Sequence, residues 1–237
     1  MKNSNKWRPT KFSVTQNAFK PGNVSAGSYI TVQCVSDFVN RNKRRLTEGV
    51  QNVLDFGCGN MPYRVLFSDL KSDHYIGVDW EASPHNISYA DVVTNLFDFN
   101  TSVQFDRILI NDVFEHTGEI KQLLRKLKNN LTKDGLIYMN IPFMYWIHEA
   151  PYDKVRYSHF YLEEIFDCLG YKVETKVFYG GWFLVVSDIF NKVFTSRLSN
   201  RLLFVPKLQL LIDSLIPLKW KQIQTYPLQY CYIISKL

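Results

Sequence analysis

Short apolar runs alternate with stretches of helical periodicity along most of the chain. Runs of mostly apolar residues predict strands, and apolar residues that recur every three or four positions predict amphipathic helices. The predicted strands cover residues 53–56, 75–78, 105–110, 136–142, 171–179 and 230–235. Because strands and helices alternate, we predict an α/β fold with a doubly wound sheet, in which the last two strands form a hairpin pair.

Four helical stretches are predicted within the first 170 residues. The clearest ends before Gly135, and a later one is capped by Ser158 and stopped by Gly170. Another is expected over residues 28–46, where basic residues at its end suit the helix dipole. Apart from the stretch over residues 28–46, the predicted helices are defined by their apolar positions. In chain order these are Tyr63, Leu66, Phe67 and Leu70; Ile120, Leu123, Leu124, Leu127 and Leu131; and Leu162, Ile165, Phe166 and Leu169.

Residues 181–226, between the last two predicted strands, are too many for a hairpin loop and predict an inserted helical element. Its apolar stripes comprise Phe183, Val186, Phe190 and Val193, then Leu208, Leu211, Ile212 and Leu215. Its flanking cations are Lys192, Arg197, Arg201, Lys207, Lys219 and Lys221. The pattern fits an amphipathic segment peripheral to the inner face of a membrane, or a lid or homodimer contact packed on the domain. We favour the packed element, because amphipathic stripes usually face a core.

Composition is compatible with one sizeable domain of 237 residues, with a basic arm and helix over residues 1–50 and the main domain over residues 51–237. The net charge of +6 comes from the first 50 residues, which hold nine Lys and Arg against two acids. We interpret this as a solvated helix end rather than a nucleic-acid surface. Four scattered cysteines favour neither disulfides nor zinc, and without an apolar leader we expect a cytoplasmic location.

The most informative chemical feature is the run Val-Leu-Asp-Phe-Gly-Cys-Gly at residues 53–59. A buried strand there leads Asp55 into a turn with Gly57 and Gly59, which can adopt positive φ and let the backbone approach a ligand. We expect the N–H groups of this turn to be free to bind. A second short strand ends in Asp79, whose carboxylate can accept both hydroxyls of a ribose.

Two nucleoside cofactors fit such a turn, a dinucleotide and S-adenosylmethionine. A dinucleotide site requires a third glycine, and this chain has Pro62 at that position. Asp55 would repel a pyrophosphate, whereas it can help to place the cationic amino group of a methionine moiety. The chemistry therefore favours S-adenosylmethionine.

These landmarks resemble the class I S-adenosylmethionine-dependent methyltransferases, from about residue 53 to residue 179 and again at the last strand. The resemblance implies a Rossmann-like, seven-stranded sheet with a helical insertion before the last strand, and S-adenosylmethionine as the cofactor. The cofactor-binding residues that it implies are Asp55, Gly57, Cys58, Gly59, Asp79, Trp80, Asp91, Val92 and Asn111. Met61 stands where many members have a further glycine, so the outer side of the turn should be bulkier.

The loop after residue 142 is expected to face the transferable methyl group, because ligands of open α/β sheets lie beyond the carboxyl ends of the strands. Its spacing of residues resembles that of methyltransferases commonly encoded with bacterial surface-glycan pathways. The predicted acceptor-binding residues are Tyr145, Trp146, Arg156 and Tyr157. Arg156 could grip a phosphate or carboxylate of the acceptor, or could form a local salt bridge with Asp153.

His148 is our first candidate for the base that removes a hydroxyl proton, with Asp153 as its orienting partner. His116, directly after Glu115, is the rival candidate. We expect no metal site, because no set of histidines shows plausible ligand spacing.

We therefore predict an S-adenosylmethionine-dependent methyltransferase that acts on a small-molecule or glycan-type acceptor, at oxygen. One alternative is a cofactor-binding but inactive scaffold, and another is a nicotinamide-dependent oxidoreductase, which Asp55 and Pro62 disfavour. A nucleic-acid methyltransferase is a third. Residues 111–114 differ from the Asn-Pro-Pro-aromatic loop of amino-directed nucleic-acid enzymes, which disfavours a nucleic-acid partner.

Overall fold

A seven-stranded mixed sheet forms the centre of the computed structural model, which describes residues 25–195 and 203–237. The strands are β1 (Val53–Phe56), β2 (Tyr75–Asp79), β3 (Val92–Val93), β4 (Phe105–Asn111), β5 (Leu131–Pro142), β6 (Tyr171–Gly180) and β7 (Pro227–Lys236). Their spatial order is β3-β2-β1-β4-β5-β7-β6; the first five are parallel, and β7 is antiparallel to β5 and β6. The predicted fold class is confirmed, including the pairing of the last two strands.

Helices cover both faces of this sheet. They are α1 (Tyr29–Arg41), α2 (Lys43–Thr47), α3 (Phe114–Thr117), α4 (Ile120–Asn129), α5 (His159–Cys168), α6 (Trp182–Phe190), α7 (Phe204–Leu215) and α8 (Leu218–Lys221). The predicted N-terminal helix is split at Asn42 into α1 and α2. Residues 1–24 of the basic arm, together with Arg197 and Arg201, lie outside the described residues.

The helix predicted from Tyr63 to Leu70 is wrong in type and length. Only a 3-10 turn forms, at Arg64–Phe67, although Tyr63 and Phe67 are buried as their spacing indicates. The Leu66 N–H donates to the Tyr63 carbonyl at 2.9 Å, three residues back. Apolar spacing therefore identified the buried positions, but it does not distinguish i→i+3 from i→i+4 hydrogen bonding.

The boundary between α4 and β5 also differs from the prediction. Leu131 begins β5 instead of ending the helix, and Gly135 lies inside the strand. The pairing with β4 is irregular at this point, since Phe105 faces Leu131 and Arg107 faces Leu136. A side chain at Gly135 would come within 2.9 Å of the Phe105 carbonyl oxygen, so the close approach of β4 explains the glycine.

Alternate residues of the central strands supply two cores, one on each face of the sheet. Ile108 and Ile110 pack in the core that contains Leu124 of α4, whereas Leu109 between them packs in the core that contains Phe38 of α1. This alternation is the period of two expected of a strand buried on both faces. The helical layers thereby hold β1, β2 and β4 rigidly, with their carboxyl ends at one edge.

Most of the apolar stripe residues of the insertion are exposed instead of packed on the domain, although Phe183 packs at the edge of the core that contains Phe38. Val186 of α6 is 60% exposed and Leu215 of α7 is 77% exposed. The inward faces of these helices present other residues, among them Leu184 and Leu210. Periodicity correctly predicted helices, but it did not determine which face each helix turns to the core.

Truncation of a buried and an exposed leucine should have very different costs. Leu124→Ala removes methyl groups from a fully buried position and should lower the free energy of unfolding by about 2–5 kcal/mol. The matched variant Leu211→Ala, at a position 58% exposed, should change it by less than about 0.5 kcal/mol. Urea unfolding followed by circular dichroism measures both. Equal costs would contradict the orientation of α7 described here.

Candidate functional site

A cavity of about 900 Å³ lies at the carboxyl ends of β1, β2 and β4. Its floor is the glycine turn after β1, and its walls come from the end of β2, the segment after β4, the loop after β5 and the start of α1. Of the predicted cofactor-binding residues, the cavity is lined by Asp55, Gly57, Cys58, Gly59, Asp79, Trp80 and Asn111. The cavity therefore lies where the sequence placed the cofactor site.

The glycine turn requires glycine at Gly57. Its φ is +79°, and a side chain there would collide with Val113. The turn is nevertheless not an array of free donors, as we had expected. The N–H groups of Gly57 and Cys58 donate to the Val78 carbonyl at 2.8 and 3.0 Å, and that of Gly59 donates to Asp79 Oδ2 at 2.7 Å. The turn is thus held in shape before any ligand binds.

Met61 takes up the left-handed conformation that a glycine would provide. Its φ is +50°, which is uncommon for a residue with a side chain. Its thioether lies against Gly77 of β2, where an added Cβ would collide with it. The expected bulk on the outer side of the turn is therefore directed onto β2.

Two buried acids stand at the cavity floor with different hydrogen-bond partners. Asp55 accepts a hydrogen bond from the Tyr75 hydroxyl at 2.6 Å. Burial, aided by nearby Asp79, raises the pKa of Asp55 to about 7, although the hydrogen bond from Tyr75 lowers it. Asp79 accepts from the N–H groups of Gly59 and Trp80, at 2.7 and 2.8 Å. An ionised carboxylate has about four acceptor sites, so two remain available at Asp79 for ligand hydroxyls.

The structure does not bring Asp91 or Val92 to the cavity. The carboxylate of Asp91 accepts the Gly77 N–H at 2.8 Å, at the edge of the sheet, and Val92 is exposed in β3. The next segment reaches the cavity instead, through Asn95, Leu96 and Phe97. The sequence prediction does not include these residues. The available signal was the short apolar strand β3, which is followed closely by the polar residue Asn95.

His148 lies at the opposite wall, held by a buried carboxylate. Its Nδ1 is 3.1 Å from Asp153 Oδ2 and 3.3 Å from the Trp146 carbonyl oxygen. Both neighbours accept hydrogen bonds, so the neutral ring carries its proton on Nδ1 and leaves a lone pair on Nε2. That Nε2 faces Glu115, 3.9 Å from Oε1.

Burial sets the ionisation of this wall. It lowers the pKa of His148 below the usual 6.5, despite the opposing charge of Asp153, so the imidazole is neutral at pH 7. Burial alone would raise the pKa of Asp153, but hydrogen bonds from Arg156 and from the His148 N–H hold it at about 2. Glu115 is fully buried, and neither of its carboxyl oxygens has a hydrogen-bond partner among the described residues. Desolvation, together with Asp112, raises the pKa of Glu115 well above its usual value.

Only one of the four predicted acceptor-binding residues lines the cavity. That residue is Tyr145, whose ring contacts the His148 ring edge-on with centroids 5.1 Å apart. Arg156 is turned to Asp153 in a bidentate pair and to the Trp146 carbonyl at 3.0 Å, so its grip on an acceptor is replaced by the local salt bridge. The Trp146 ring is 52% exposed, and Tyr157 is buried in the core.

The structure brings together three potential metal ligands that sequence spacing did not indicate. Glu115, His116 and His148 each offer a ligand atom, and these atoms lie within 4.8 Å of one another. His116 Nε2 also lies 3.6 Å from Glu149 Oε2. A carboxylate with two neutral imidazoles is a donor set that divalent metals accept. The three residues come from the segment after β4 and the loop after β5, which sequence spacing could not relate.

The start of α1 closes the cavity, a role that we did not predict. Ser28, Thr31 and Val32 line it, and the Thr31 carbonyl accepts from the Gln229 side chain of β7 at 3.2 Å. The sequence pattern indicates only that this helical stretch ends in basic residues. No signal for its position is visible without the packing of α1 on the sheet.

Comparison with known proteins identifies a family and a fold. Residues 30–176 match the family model described as a methyltransferase domain. The chain is similar to a solved S-adenosylmethionine-dependent methyltransferase from Archaeoglobus fulgidus, with a TM-score of 0.58 and 18% identity. The match covers 88% of this chain and 97% of that protein's chain. At that identity the likeness concerns the fold.

Two curated plant proteins are also similar. The chain is 26% identical over 102 residues to (S)-tetrahydroprotoberberine N-methyltransferase of Eschscholzia californica, with 38% of this chain and 29% of that protein covered. It is 30% identical over 104 residues to (S)-coclaurine N-methyltransferase of Thalictrum flavum subsp. glaucum, with 37% and 28% covered. The chain thus spans less than a third of the length of these relatives.

Replacement of Asp79 should weaken cofactor binding. Asp79→Asn removes the charge and part of the acceptor capacity, and should weaken binding of S-adenosylhomocysteine by about 10- to 100-fold. Asp91→Asn is the matched control, because Asp91 lies off the cavity and the amide oxygen can still accept the Gly77 N–H. The Asp91 variant should bind S-adenosylhomocysteine as tightly as the parent does. Calorimetric titration measures both. A larger loss in the Asp91 variant would reverse our assignment.

Cofactor affinity should rise with pH through the titration of Asp55. Because the pKa of Asp55 is raised to about 7, the carboxyl is protonated in more acidic solution and attracts a cationic amino group only after ionising. Binding of S-adenosylhomocysteine should therefore tighten from about pH 6 to about pH 8 and release up to one proton. Titration in buffers of different ionisation enthalpy measures that proton. Asp55→Asn should abolish the dependence; if it persists, another group such as Asp112 causes it.

Proposed function

Because the chain belongs to the methyltransferase-domain family and uses S-adenosylmethionine, we propose that it methylates a hydroxyl oxygen of a small-molecule or glycan-type acceptor. The observation that carries the choice of oxygen is the position of His148 at the cavity wall, where Asp153 lies 3.1 Å from Nδ1 and leaves Nε2 as the ring nitrogen that can accept a proton. A neutral amine attacks with its own lone pair, whereas a hydroxyl must lose its proton as it attacks. A positioned, uncharged imidazole supplies that function at pH 7.

The cavity floor fits the cofactor in shape and charge. When bound, S-adenosylmethionine supplies an electrophilic methyl group on a sulfonium. Asp79 would hold the ribose hydroxyls, and the turn from Gly57 to Gly59 would lie under the methionine moiety. Asp55 would face its amino group, and Asn95 with Phe97 would border the adenine. Support for these assignments comes from the lining of the cavity and from the acceptor sites left on Asp79.

His148 is the base in this proposal, and Asp153 is its positioning residue. Asp153 receives the His148 N–H at 2.9 Å and lies 3.1 Å from Nδ1, which fixes both the backbone and the ring. Arg156 in turn fixes Asp153. His116 is better suited to shaping the wall, since its ring packs edge-on against that of His148 with centroids 4.8 Å apart. Alignment and exclusion of water provide the rest of the catalysis.

Aromatic side chains favour a sugar-like or ring-bearing acceptor. Tyr145, Trp80 and Tyr152 line the cavity, and the last two meet edge-on with centroids 4.7 Å apart. Such rings pack against the apolar faces of a ligand while a few polar groups orient it. The resemblance of the loop after β5 to that of surface-glycan methyltransferases supports the same class of acceptor.

Loss of the base should lower turnover and leave cofactor affinity intact. His148→Gln should reduce kcat by about 10²- to 10⁴-fold. In the parent, kcat should be constant near pH 7 and fall in acid, below the lowered pKa of His148, as the imidazole becomes protonated. Methyl transfer from labelled S-adenosylmethionine to a panel of monosaccharides, nucleotide sugars and phenols provides the assay. His159→Gln is the matched control, since His159 also has a lowered pKa but lies off the cavity.

Three outcomes would contradict parts of the proposal. Equal losses of activity in the His148 and His159 variants would indicate a structural role for His148. A product methylated at nitrogen would exclude the assignment to oxygen. Activity should survive treatment with a chelator; if it is lost and a divalent cation restores it, activation of the acceptor belongs to a metal held by Glu115, His116 and His148.

A further inference from the structure

The helices of the insertion bury charged side chains beside their inward apolar residues and expose other large apolar side chains. On α6 and the π turn that continues it (Asn191–Thr195), and on α7, large apolar residues recur on the solvent side. We call these residues the apolar face. Its main members are Val186, Ile189, Val193, Leu208, Leu211 and Leu215, each more than half exposed. The largest apolar patches of soluble monomers are often functional.

The inward side of the same helices holds two buried ion pairs. Lys192 pairs with Asp188, and Lys221 pairs with Asp213; each of the four residues is at most 5% exposed. Burial raises the pKa of both aspartates, because removing a charged carboxylate from water costs free energy. An ordinary surface helix exposes its charged residues. Burial of these charges while large apolar residues stay exposed indicates that the outward side faces an apolar environment.

We propose that the apolar face binds the surface of a membrane that contains anionic lipids. Charge selects this partner. Residues 182–195 and 203–226 contain two acidic residues, Asp188 and Asp213, and both are buried. The exposed charged residues in these ranges are Lys207 and Lys219. The described insertion thus presents cations and apolar side chains together, which is the pattern of helices that lie in a lipid interface.

Helix length and aromatic residues agree with an interfacial position. Among the described residues, no helix combines the length and apolarity needed to cross a bilayer. Trp182 and Trp220 are 44% and 63% exposed, and the indole N–H of Trp182 donates to the Trp220 carbonyl at 3.1 Å. Indole rings are favoured at the level of lipid headgroups, where one part is apolar and another is polar.

A second copy of the chain is a poorer occupant of the apolar face. In a two-fold dimer the same patch meets itself, so one interface would hold Lys207 and Lys219 of both copies. The described insertion offers no exposed acid to pair with them. Anionic headgroups supply that counter-charge.

The apolar face adjoins the cavity. The Lys192 ammonium lies 3.7 Å from the centre of the Tyr145 ring, which lines the cavity, and the π turn packs on the Ala26–Ser28 turn at the cavity rim. A surface bound by the insertion would therefore lie close to the cavity, so an acceptor carried in that surface could reach it. Only this last consequence depends on the proposed function.

Vesicle co-sedimentation of the full chain tests the membrane assignment. The parent should bind vesicles of phosphatidylcholine mixed with phosphatidylglycerol, and bind less to phosphatidylcholine alone or at high salt. The double variant Leu211→Glu/Leu215→Glu should lose vesicle binding by about tenfold or more. Phe160→Glu, at a position 75% exposed on α5, is the matched control and should bind as the parent does.

The readouts separate this proposal from misfolding, from dimerisation and from failure of the proposed function. Affinity for S-adenosylhomocysteine should be unchanged in all variants, which verifies their fold. Absence of vesicle binding, equal losses in the double variant and in Phe160→Glu, or equal binding to neutral and anionic vesicles would each overturn the proposal. A parent dimer in analytical ultracentrifugation that Leu211→Glu/Leu215→Glu dissociates would assign the apolar face to a second copy. Vesicle binding without methylation of any acceptor would reject only the proposed function.

Discussion

Parallel pairing of β1 with β2 and with β4 is the constraint on which the site depends. Asp55 lies opposite Gly77 on one side and Leu109 on the other, so the three strands end at one level. Asp79 ends β2, Asp112 follows β4, and both line one cavity. Burial raises the pKa of Asp55 and of Asp112 to about 7, aided by Asp79 in the first case and by Glu149 in the second, although each accepts a hydrogen bond from a neighbour. The result is a floor that is well suited to a cationic ligand.

The opposite wall depends on a chain of hydrogen bonds rather than on strand pairing. Arg156 holds Asp153, and Asp153 holds both the backbone and the ring of His148. This order explains why Arg156 is unavailable to an acceptor although its sequence position suggested that role. A guanidinium used to fix a carboxylate makes the imidazole beyond it rigid, and rigid placement is what a base requires.

Much of the fold was predictable because the signals are local. Buried strands such as β1 and β4 show as apolar runs, and Ser158 and Gly170 mark the ends of a helix through backbone requirements of a few residues. Prediction failed where a partner distant in sequence decides the outcome. Asp91 was expected at the cofactor, but the Gly77 N–H on the neighbouring strand takes its carboxylate.

The sequence by itself determined the α/β architecture, the glycine turn and the acid after β2, because each depends on short-range conformational preferences and on hydrophobic period. Tertiary structure alone assembled Glu115, His116 and His148, closed the cavity with α1 and turned the apolar stripes of α6 and α7 outward. The physical reason is that periodicity specifies which residues share a face. Which face becomes buried, and which distant side chains then meet, depends on the packing of the whole chain.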